Sequence, residues 1–205
     1  MSPHLQDSTT TPMNHPQPVV ETEFSATDEP GIPLSFAQER LWFLDQLHPN
    51  NSLYNVPSAI RMRGRLDPVA LKKSLEAIVE RHEILRTTYR LVNGSPVQEI
   101  TDSFRLDLPV VDLSGTREGQ RPCDLQTHLS ERARQPFDLA RDLMVRAVLF
   151  KLGADEHVLL LNIHHIACDE WSMGIFFKEL TILYKGFVTN RPATLDEPSV
   201  QYADY

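Results

Sequence analysis

The sequence predicts an α+β domain, and three observations lead to that class. Helical and strand patterns follow one another as helix, strand, helix, hairpin, helix, hairpin, helix, which favours a mixed or antiparallel sheet packed with helices. Turn sequences at Asn93-Gly94 and Gly153-Ala-Asp separate strand-like runs and indicate the two hairpins. The apolar run that ends at His164 has the composition of a central strand covered on both faces.

By composition, the 205-residue chain divides into a predicted leader, residues 1–33, and one domain, residues 34–205. The leader contains six prolines among polar and acidic residues, so it cannot bury enough apolar surface to offset its ordering entropy. We therefore expect the leader to be disordered. The remainder is long enough to form a sizeable hydrophobic core.

The first helix begins at a capping box, because Ser35 and Gln38 have the S-x-x-Q spacing and apolar residues at helical intervals follow as far as Leu47. The second helix begins at Asp67-Pro68, an N-cap residue followed by a first-turn proline. The same criteria predict strands at 54–63, 85–91, 96–100, 106–111, 143–151 and 157–164, and further helices at 124–134 and 172–187.

Charge and composition exclude several classes of function. The net charge is −8 and no basic stripe occurs, which disfavours a nucleic-acid partner. No apolar run approaches the roughly 18–20 residues that cross a bilayer. The first basic residue is Arg40, so a positively charged signal-peptide region is missing. Cys123 and Cys168 lie far apart and are expected to be free thiols, which predicts a cytoplasmic protein.

The candidate site lies where the central strand ends in His164-His165 and is followed by Asp169 and a predicted helix. Successive strand residues point to opposite faces, so one histidine should face the protein and the other a cleft. An imidazole at a cleft suits proton-transfer chemistry. Taken alone, however, the stretch is equally compatible with two histidines that are merely hydrogen-bonded at a strand end.

Two other chemistries are disfavoured at this position. A metal site needs ligands that converge on one point, and the histidine pair with Asp169 lacks the i, i+4 spacing of a helical zinc motif. A nucleophilic Cys168 activated by His165 is conceivable, but the sequence supplies no third group to orient the imidazole.

Three segments resemble core motifs of the condensation domains of nonribosomal peptide synthetases, and they occur in that family's order. The stretch 163–172, IHHIACDEWS, is similar to the HHxxxDG-x-S motif. The others are LSFAQERLWFL at 34–44 and RHEILRT at 81–87, and YADY at 202–205 resembles the opening of a fourth. The resemblance covers residues 34–205 and, because several motifs coincide, is far more specific than HHxxxD alone.

The resemblance implies a fold of two lobes, each like chloramphenicol acetyltransferase, with a reaction tunnel between them. The chain corresponds to the N-terminal lobe, and the second lobe is absent, so the chain alone is expected to be inactive. The implied reaction transfers an acyl or peptidyl group from a carrier-protein thioester to the amine of an aminoacyl group on a second carrier protein. The implied partners are these two carriers, which deliver 4′-phosphopantetheine, and adjacent synthetase domains; no directly bound cofactor or metal is implied.

The resemblance also assigns roles within the candidate site. His165 is the expected catalytic residue, and His164 and Asp169 are expected to be structural. Asp169 should pair with an arginine that orders the loop, for which Arg86 is one candidate. Ser172 is expected to cap the helix that follows.

Glu170 departs from the motif, which has glycine there; glycine would permit a tight turn and close approach of a substrate. Within the superfamily, a heterocyclisation domain would have aspartate in place of His164, and an epimerisation domain has a different first motif. Two alternatives stay open: a stand-alone acyltransferase that uses a coenzyme A thioester, and a non-catalytic fragment that docks carrier proteins.

Overall fold

The computed structural model describes residues 31–191 and 193–204 of the chain and confirms the predicted α+β class. Two short 3₁₀ turns, Glu83–Arg86 and Tyr202–Asp204, accompany the regular elements. In chain order, those elements are β1 (Ile32–Pro33), α1 (Phe36–Leu47), β2 (Asn55–Arg63), α2 (Pro68–Arg81), β3 (Thr87–Val92), β4 (Ser95–Ile100), β5 (Val110–Asp112), α3 (Arg121–Ala133), β6 (Val145–Lys151), β7 (Glu156–His164) and α4 (Glu170–Thr189).

The larger sheet is mixed and has the strand order β2-β7-β6-β5. β7 runs antiparallel to both of its neighbours, whereas β5 is parallel to β6. Every residue of β7 after Glu156 is buried, which confirms the predicted central strand. Its last residue, His164, pairs with Asn55 of β2, so the sheet itself fixes where the histidine pair begins.

The smaller sheet is antiparallel, in the order β1-β4-β3. Asn93 and Gly94 both have positive φ, 52° and 82°, as a two-residue type I′ hairpin turn requires. The predicted boundary of the leader at residue 33 is wrong, because Ile32 and Pro33 form β1 and pair with β4. Proline is compatible with an edge strand, and two paired residues leave no compositional trace. Residues 1–30 of the predicted leader lie outside the described residues.

Side chains of β7 alternate between two hydrophobic clusters. Leu159, Leu161 and Ile163 belong to the main core, where α2 and α4 cover the sheet. Val158 and Leu160 belong to a second cluster with residues of α3. β7 ends at His164, so the last residue of the strand is buried and exposure begins with His165 in the connection that follows.

Several helix and strand ends differ from the prediction. α4 starts at Glu170 instead of 172, and α3 starts at Arg121 instead of 124, where Pro122 suits the first helical turn. Leu85 and Arg86, predicted as strand, belong to the 3₁₀ turn before β3. The strand predicted at 106–111 is reduced to β5.

Candidate functional site

The site is built on the five-residue connection between β7 and α4, residues 165–169. The backbone at the start of this connection is held on both sides: the amide of His164 donates to Met144 O at 3.0 Å, and the amide of His165 donates to Tyr54 O at 2.8 Å. The Ala167 amide donates to His164 O at 2.9 Å and closes a turn. The two histidines are therefore fixed by the sheet before any side-chain contact is considered.

His164 is the buried member of the pair, with 4% of its surface exposed. Its Nδ1 accepts the Ile166 amide at 3.2 Å, so the ring hydrogen is on Nε2. The rings of Phe137 and Tyr54 meet it edge to face, with centroids 5.8 and 6.3 Å away. Burial, with a smaller contribution from the charge of His165, lowers the pKa of His164 to about 4. The ring is therefore a neutral part of the protein interior at pH 7.

His165 is exposed and faces the other way. Its Nδ1 lies 2.5 Å from the carbonyl oxygen of Cys168. A carbonyl only accepts, so Nδ1 must donate, and in the neutral ring Nε2 then has no hydrogen and keeps its lone pair. The loop thus presents an imidazole nitrogen that can accept a proton.

His165 lines a cleft of about 350 Å³ whose walls are mainly apolar. The cleft is bounded by α1, by the 3₁₀ turn Glu83–Arg86, by the β7–α4 connection and by Tyr202. All four of these segments contain residues of the motif stretches recognised in the sequence. The lining residues are Ala37, Gln38, Leu41, Ile84, His165, Ile166, Ala167, Cys168, Asp169, Ser172 and Tyr202.

Asp169 is the N-cap of α4, which corrects the prediction that Ser172 caps this helix. Its carboxylate accepts the Ser172 amide at 2.7 Å, and the Ser172 hydroxyl accepts the Asp169 amide at 2.8 Å, so the two residues form a reciprocal capping box. The Ser172 amide and then the Ser172 hydroxyl hold the pKa of Asp169 below its usual value. Since the Ser172 amide donates to Asp169, that amide is not available to a ligand.

The structure does not bring Arg86 to Asp169, so the proposed partner is wrong. Arg86 donates to Thr101 O at 2.7 Å and forms ion pairs with Asp102 at 3.2 Å and Glu83 at 3.6 Å. The 3₁₀ turn that contains Arg86 directs its side chain toward the residues that follow β4. Its role in the described residues is to join these two segments.

Glu170 begins α4 and is exposed. The non-glycine residues with positive φ in the described ranges are Asn50, Asn93 and Asn190, and Glu170 is not among them. The backbone at this position therefore does not need glycine. A carboxylate in the first helical turn is favourable with respect to the helix dipole.

Cys168 is buried, and burial together with the nearby charge of Asp169 raises the pKa of its thiol to about 12. The thiol donates weakly to His164 O at 3.6 Å. A protonated, buried thiol is a poor nucleophile, which argues against cysteine chemistry. In residues 31–191 and 193–204, no three His, Cys, Asp or Glu side chains form a group that could hold a metal ion.

The burial of two polar residues was not predicted from the sequence. The first is Gln38, which is only 1% exposed; its Oε1 accepts the Ser35 amide, and its Nε2 donates to Gln98 at 2.8 Å and to Tyr89 at 3.2 Å. Its spacing from Ser35 indicated a cap, but the capping pattern contains no information about burial.

The second buried residue is Glu179, in the middle of α4. Its carboxylate pairs with Arg81 at 3.2 Å and with His82 Nε2 at 2.7 Å. This carboxylate therefore attaches the end of α2 to α4. A glutamate on an otherwise apolar helical face was the available sequence indication.

Comparison with known proteins agrees with the motif resemblance. The family model described as condensation domain matches residues 29–205. A linear gramicidin synthase from Brevibacillus parabrevis contains a polypeptide that is 46% identical over 177 residues, which is 86% of this chain and 3% of that polypeptide. The chain therefore spans a small part of this curated relative.

Solved structures with the same fold include an X-domain and a condensation domain. The X-domain from teicoplanin biosynthesis, in a complex with OxyB, is 35% identical with a TM-score of 0.77, over 88% of this chain and 38% of that one. The first condensation domain of the calcium-dependent antibiotic synthetase, in complex with a substrate analogue, is 25% identical with a TM-score of 0.75. The match covers 82% of this chain and 40% of that one.

No helix in the described part of the chain is long and apolar enough to cross a membrane. The predicted family is confirmed by a model match that covers most of the sequence and by the relative from a peptide synthetase. The chain belongs to the condensation-domain family of nonribosomal peptide synthetases.

Proposed function

We propose that this chain provides the catalytic wall of a condensation site that forms an amide from a carrier-bound thioester and a carrier-bound amine. The observation that carries the proposal is the hydrogen bond from His165 Nδ1 to Cys168 O, at 2.5 Å. It leaves Nε2 of a cleft-facing imidazole ready to accept a proton. Family membership supports peptide-bond formation as the class of reaction.

In the proposed step, the substrate amine attacks the thioester carbonyl while Nε2 of His165 accepts one of its hydrogens. The carbon–nitrogen bond forms first, and collapse of the tetrahedral intermediate breaks the carbon–sulfur bond. The imidazolium then returns the proton to the departing sulfur, so the imidazole is regenerated. His164, Asp169 and Ser172 contribute by fixing the loop that holds His165.

Typical sizes of catalytic effects indicate how much of the rate acceleration His165 has to supply. An α-amine has a pKa of about 7.7–8.0, so a useful fraction is already neutral at pH 7. General-base assistance contributes roughly 10²–10⁴-fold, whereas good orientation of two reactants reaches effective molarities of roughly 10⁵–10⁸ M. We therefore expect positioning of the two thioester-bearing arms to be the larger contribution.

The proposed partners are a donor and an acceptor carrier protein, each with a 4′-phosphopantetheine arm, together with adjacent synthetase domains. The arm enters as part of the substrate and is not a resident cofactor of this chain. Identity to the linear gramicidin synthase polypeptide, whose name denotes a peptide synthase, supports this partner class.

The test compares three forms of the complete condensation domain that contains this chain: wild type, His165→Ala and His128→Ala. His128 lies on α3, outside the cleft, and serves as the matched histidine control. With loaded donor and acceptor carriers, we expect amide formation to fall roughly 10²–10⁴-fold in His165→Ala alone. Amide formation at the wild-type rate in His165→Ala would contradict the proposed role.

A second candidate function is a non-catalytic docking module. The likeness to an X-domain that was solved in a complex with OxyB favours it. It predicts that the complete domain makes no amide from any thioester yet binds a protein partner. The third possibility, an acyltransferase that uses coenzyme A, predicts faster transfer from an acyl-coenzyme A than from the same acyl group on a carrier.

A further inference from the structure

Tyr202 lies on the cleft that His165 lines, although 37 positions separate them in the sequence. Its phenol oxygen is 2.9 Å from the hydroxyl oxygen of Ser35, the N-cap of α1. The residue is 39% exposed. The phenol therefore lies at the surface of the cleft and is hydrogen-bonded to a residue far away in the sequence.

The backbone at Tyr202 is held by its neighbour. The Gln201 side chain donates to Arg81 O at 3.0 Å and accepts the Glu83 amide at 3.3 Å. The Gln201 backbone amide donates to the Asp204 carboxylate at 2.8 Å, across the 3₁₀ turn Tyr202–Asp204. These bonds fix the turn against the end of α2, so Tyr202 is placed before any substrate arrives.

The hydroxyl pair has one hydrogen more than its internal bond uses. Ser35 and Tyr202 bring two O–H hydrogens, and one of them forms the bond between the two oxygens. Ser35 Oγ also accepts the Gln38 amide at 3.3 Å, which uses a lone pair and no hydrogen. Tyr202 lines the cleft and Ser35 does not, so the remaining hydrogen reaches the cleft when Ser35 donates to Tyr202 and the phenol hydrogen is left for an acceptor.

We propose that Ser35 donates to Tyr202 and that the Tyr202 phenol donates to a carbonyl oxygen of the pantetheine arm that carries the thioester into the cleft. The arm has two amide carbonyls and the thioester carbonyl, which are acceptors without competing charge. The surrounding cleft wall is mainly apolar, so a single donor there would fix the depth of the arm relative to His165. The inference rests on the proposed condensation function and adds a substrate-binding residue to it.

Two variants distinguish donation of a hydrogen to the arm from the hydrogen bond that joins the two hydroxyls. Tyr202→Phe removes the phenol hydroxyl. Ser35→Asp keeps a good N-cap and keeps an acceptor for the Tyr202 hydroxyl, but aspartate brings no hydrogen. Tyr184→Phe is the control, because the Tyr184 hydroxyl accepts the Asp67 amide at 2.9 Å away from the cleft.

In the complete domain, we expect Tyr202→Phe and Ser35→Asp to raise KM for the carrier-bound donor roughly threefold to tenfold with kcat nearly unchanged. The Tyr184→Phe control should keep the wild-type KM. If the Ser35–Tyr202 hydrogen bond only stabilises the fold, the result should differ. Ser35→Asp would then behave like wild type, and Tyr202→Phe would lower the melting temperature. That pattern, or an unchanged KM in Tyr202→Phe, would overturn the proposal.

A binding measurement makes the result independent of turnover. Titration of acetyl-pantetheine into the complete domain, followed by NMR, should give a Kd that is weaker by the same roughly threefold to tenfold in both variants. Weaker binding in the variants without amide formation by any form of the domain would support the arm site while contradicting the proposed condensation function. Equal Kd values in all forms would overturn the arm site alone.

Discussion

His164 and His165 are adjacent in the chain yet have opposite neutral tautomers. Nδ1 of His164 accepts the Ile166 amide at 3.2 Å, whereas Nδ1 of His165 donates to Cys168 O at 2.5 Å. The buried ring therefore has its hydrogen on Nε2 and the exposed ring has it on Nδ1. This difference separates a residue that supports the loop from one that can accept a proton.

The first prediction follows directly from these tautomers. In ¹⁵N NMR spectra at neutral to mildly alkaline pH, the His164 ring should show protonated Nε2 and the neutral His165 ring should show protonated Nδ1. The variants His164→Gln and His165→Gln assign the two sets of signals. Protonated Nε2 in neutral His165 would contradict the geometry on which the proposed proton acceptor depends.

The second prediction concerns the pH dependence of stability. The folded-state pKa of His164 is about 4 and the unfolded value is about 6.5, so below pH 6.5 the unfolded chain binds a proton that the folded chain does not. The contribution of His164 to the free energy of unfolding should therefore be fully present above pH 6.5 and should decline as the pH falls toward 4. The full difference is roughly 3 kcal/mol.

Urea unfolding at pH 7, 6, 5 and 4.5 measures this slope. His164→Gln, which cannot titrate, should be less stable at pH 7 and should lose this part of the pH dependence. Because carboxylates also titrate at the lower end, the informative quantity is the difference between the two proteins. Parallel curves for wild type and variant would show that His164 does not titrate on unfolding.

Local patterns in the sequence were sufficient to predict much of the fold. The hairpin at Asn93-Gly94 follows from the left-handed backbone that those two residues tolerate, and the burial of β7 follows from its apolar run. The opposite orientations of His164 and His165 follow from strand alternation. Each of these features is determined within a few residues.

The features that could not be predicted depend on contacts between distant segments. The Ser35–Tyr202 hydrogen bond joins residues 167 positions apart, and burial of Glu179 depends on the approach of Arg81 and His82 from another helix. Whether Arg86 turns toward Asp169 or Asp102 is likewise decided by packing. Neither periodicity nor composition contains that information.

The third prediction separates the capping role of Asp169 from its charge. Asp169→Ala removes the acceptor of the Ser172 amide and should lower the free energy of unfolding by about 1 kcal/mol. Asp169→Asn retains a side-chain oxygen at the N-cap and should remain within a few tenths of a kcal/mol of wild type. Chemical denaturation of the three proteins provides the comparison. Equal losses in both variants would show that the negative charge matters more than the cap.

The fourth prediction concerns the two thiols. Cys123 is exposed, whereas Cys168 is buried and its pKa is raised to about 12. Iodoacetamide at pH 7.5 should therefore label Cys123 and leave Cys168 unmodified in the folded chain, with both labelled in urea. Peptide mass spectrometry distinguishes the sites. Rapid labelling of Cys168 in the native state would contradict its burial and would make Cys168 a candidate nucleophile again.

The fifth prediction compares two glycines of α4. A Cβ at Gly174 would meet nothing within 4 Å, so Gly174→Ala should raise the free energy of unfolding by roughly 0.5–1 kcal/mol through the better helix propensity of alanine. A Cβ at Gly186 would lie 2.9 Å from Ala193 Cβ and 3.0 Å from Arg191 O. Backbone atoms cannot yield cheaply, so Gly186→Ala should lower stability despite the same gain in propensity.

Thermal unfolding of the two alanine variants measures whether each substitution raises or lowers the stability. The residues after α4 turn back at Asn190, which has a left-handed backbone at φ 51°, and this return brings Ala193 against Gly186. A melting temperature raised in Gly174→Ala and lowered in Gly186→Ala would establish that the segment after α4 packs closely on the helix. If both variants were stabilised, that segment would have to lie farther from α4 than the structure places it.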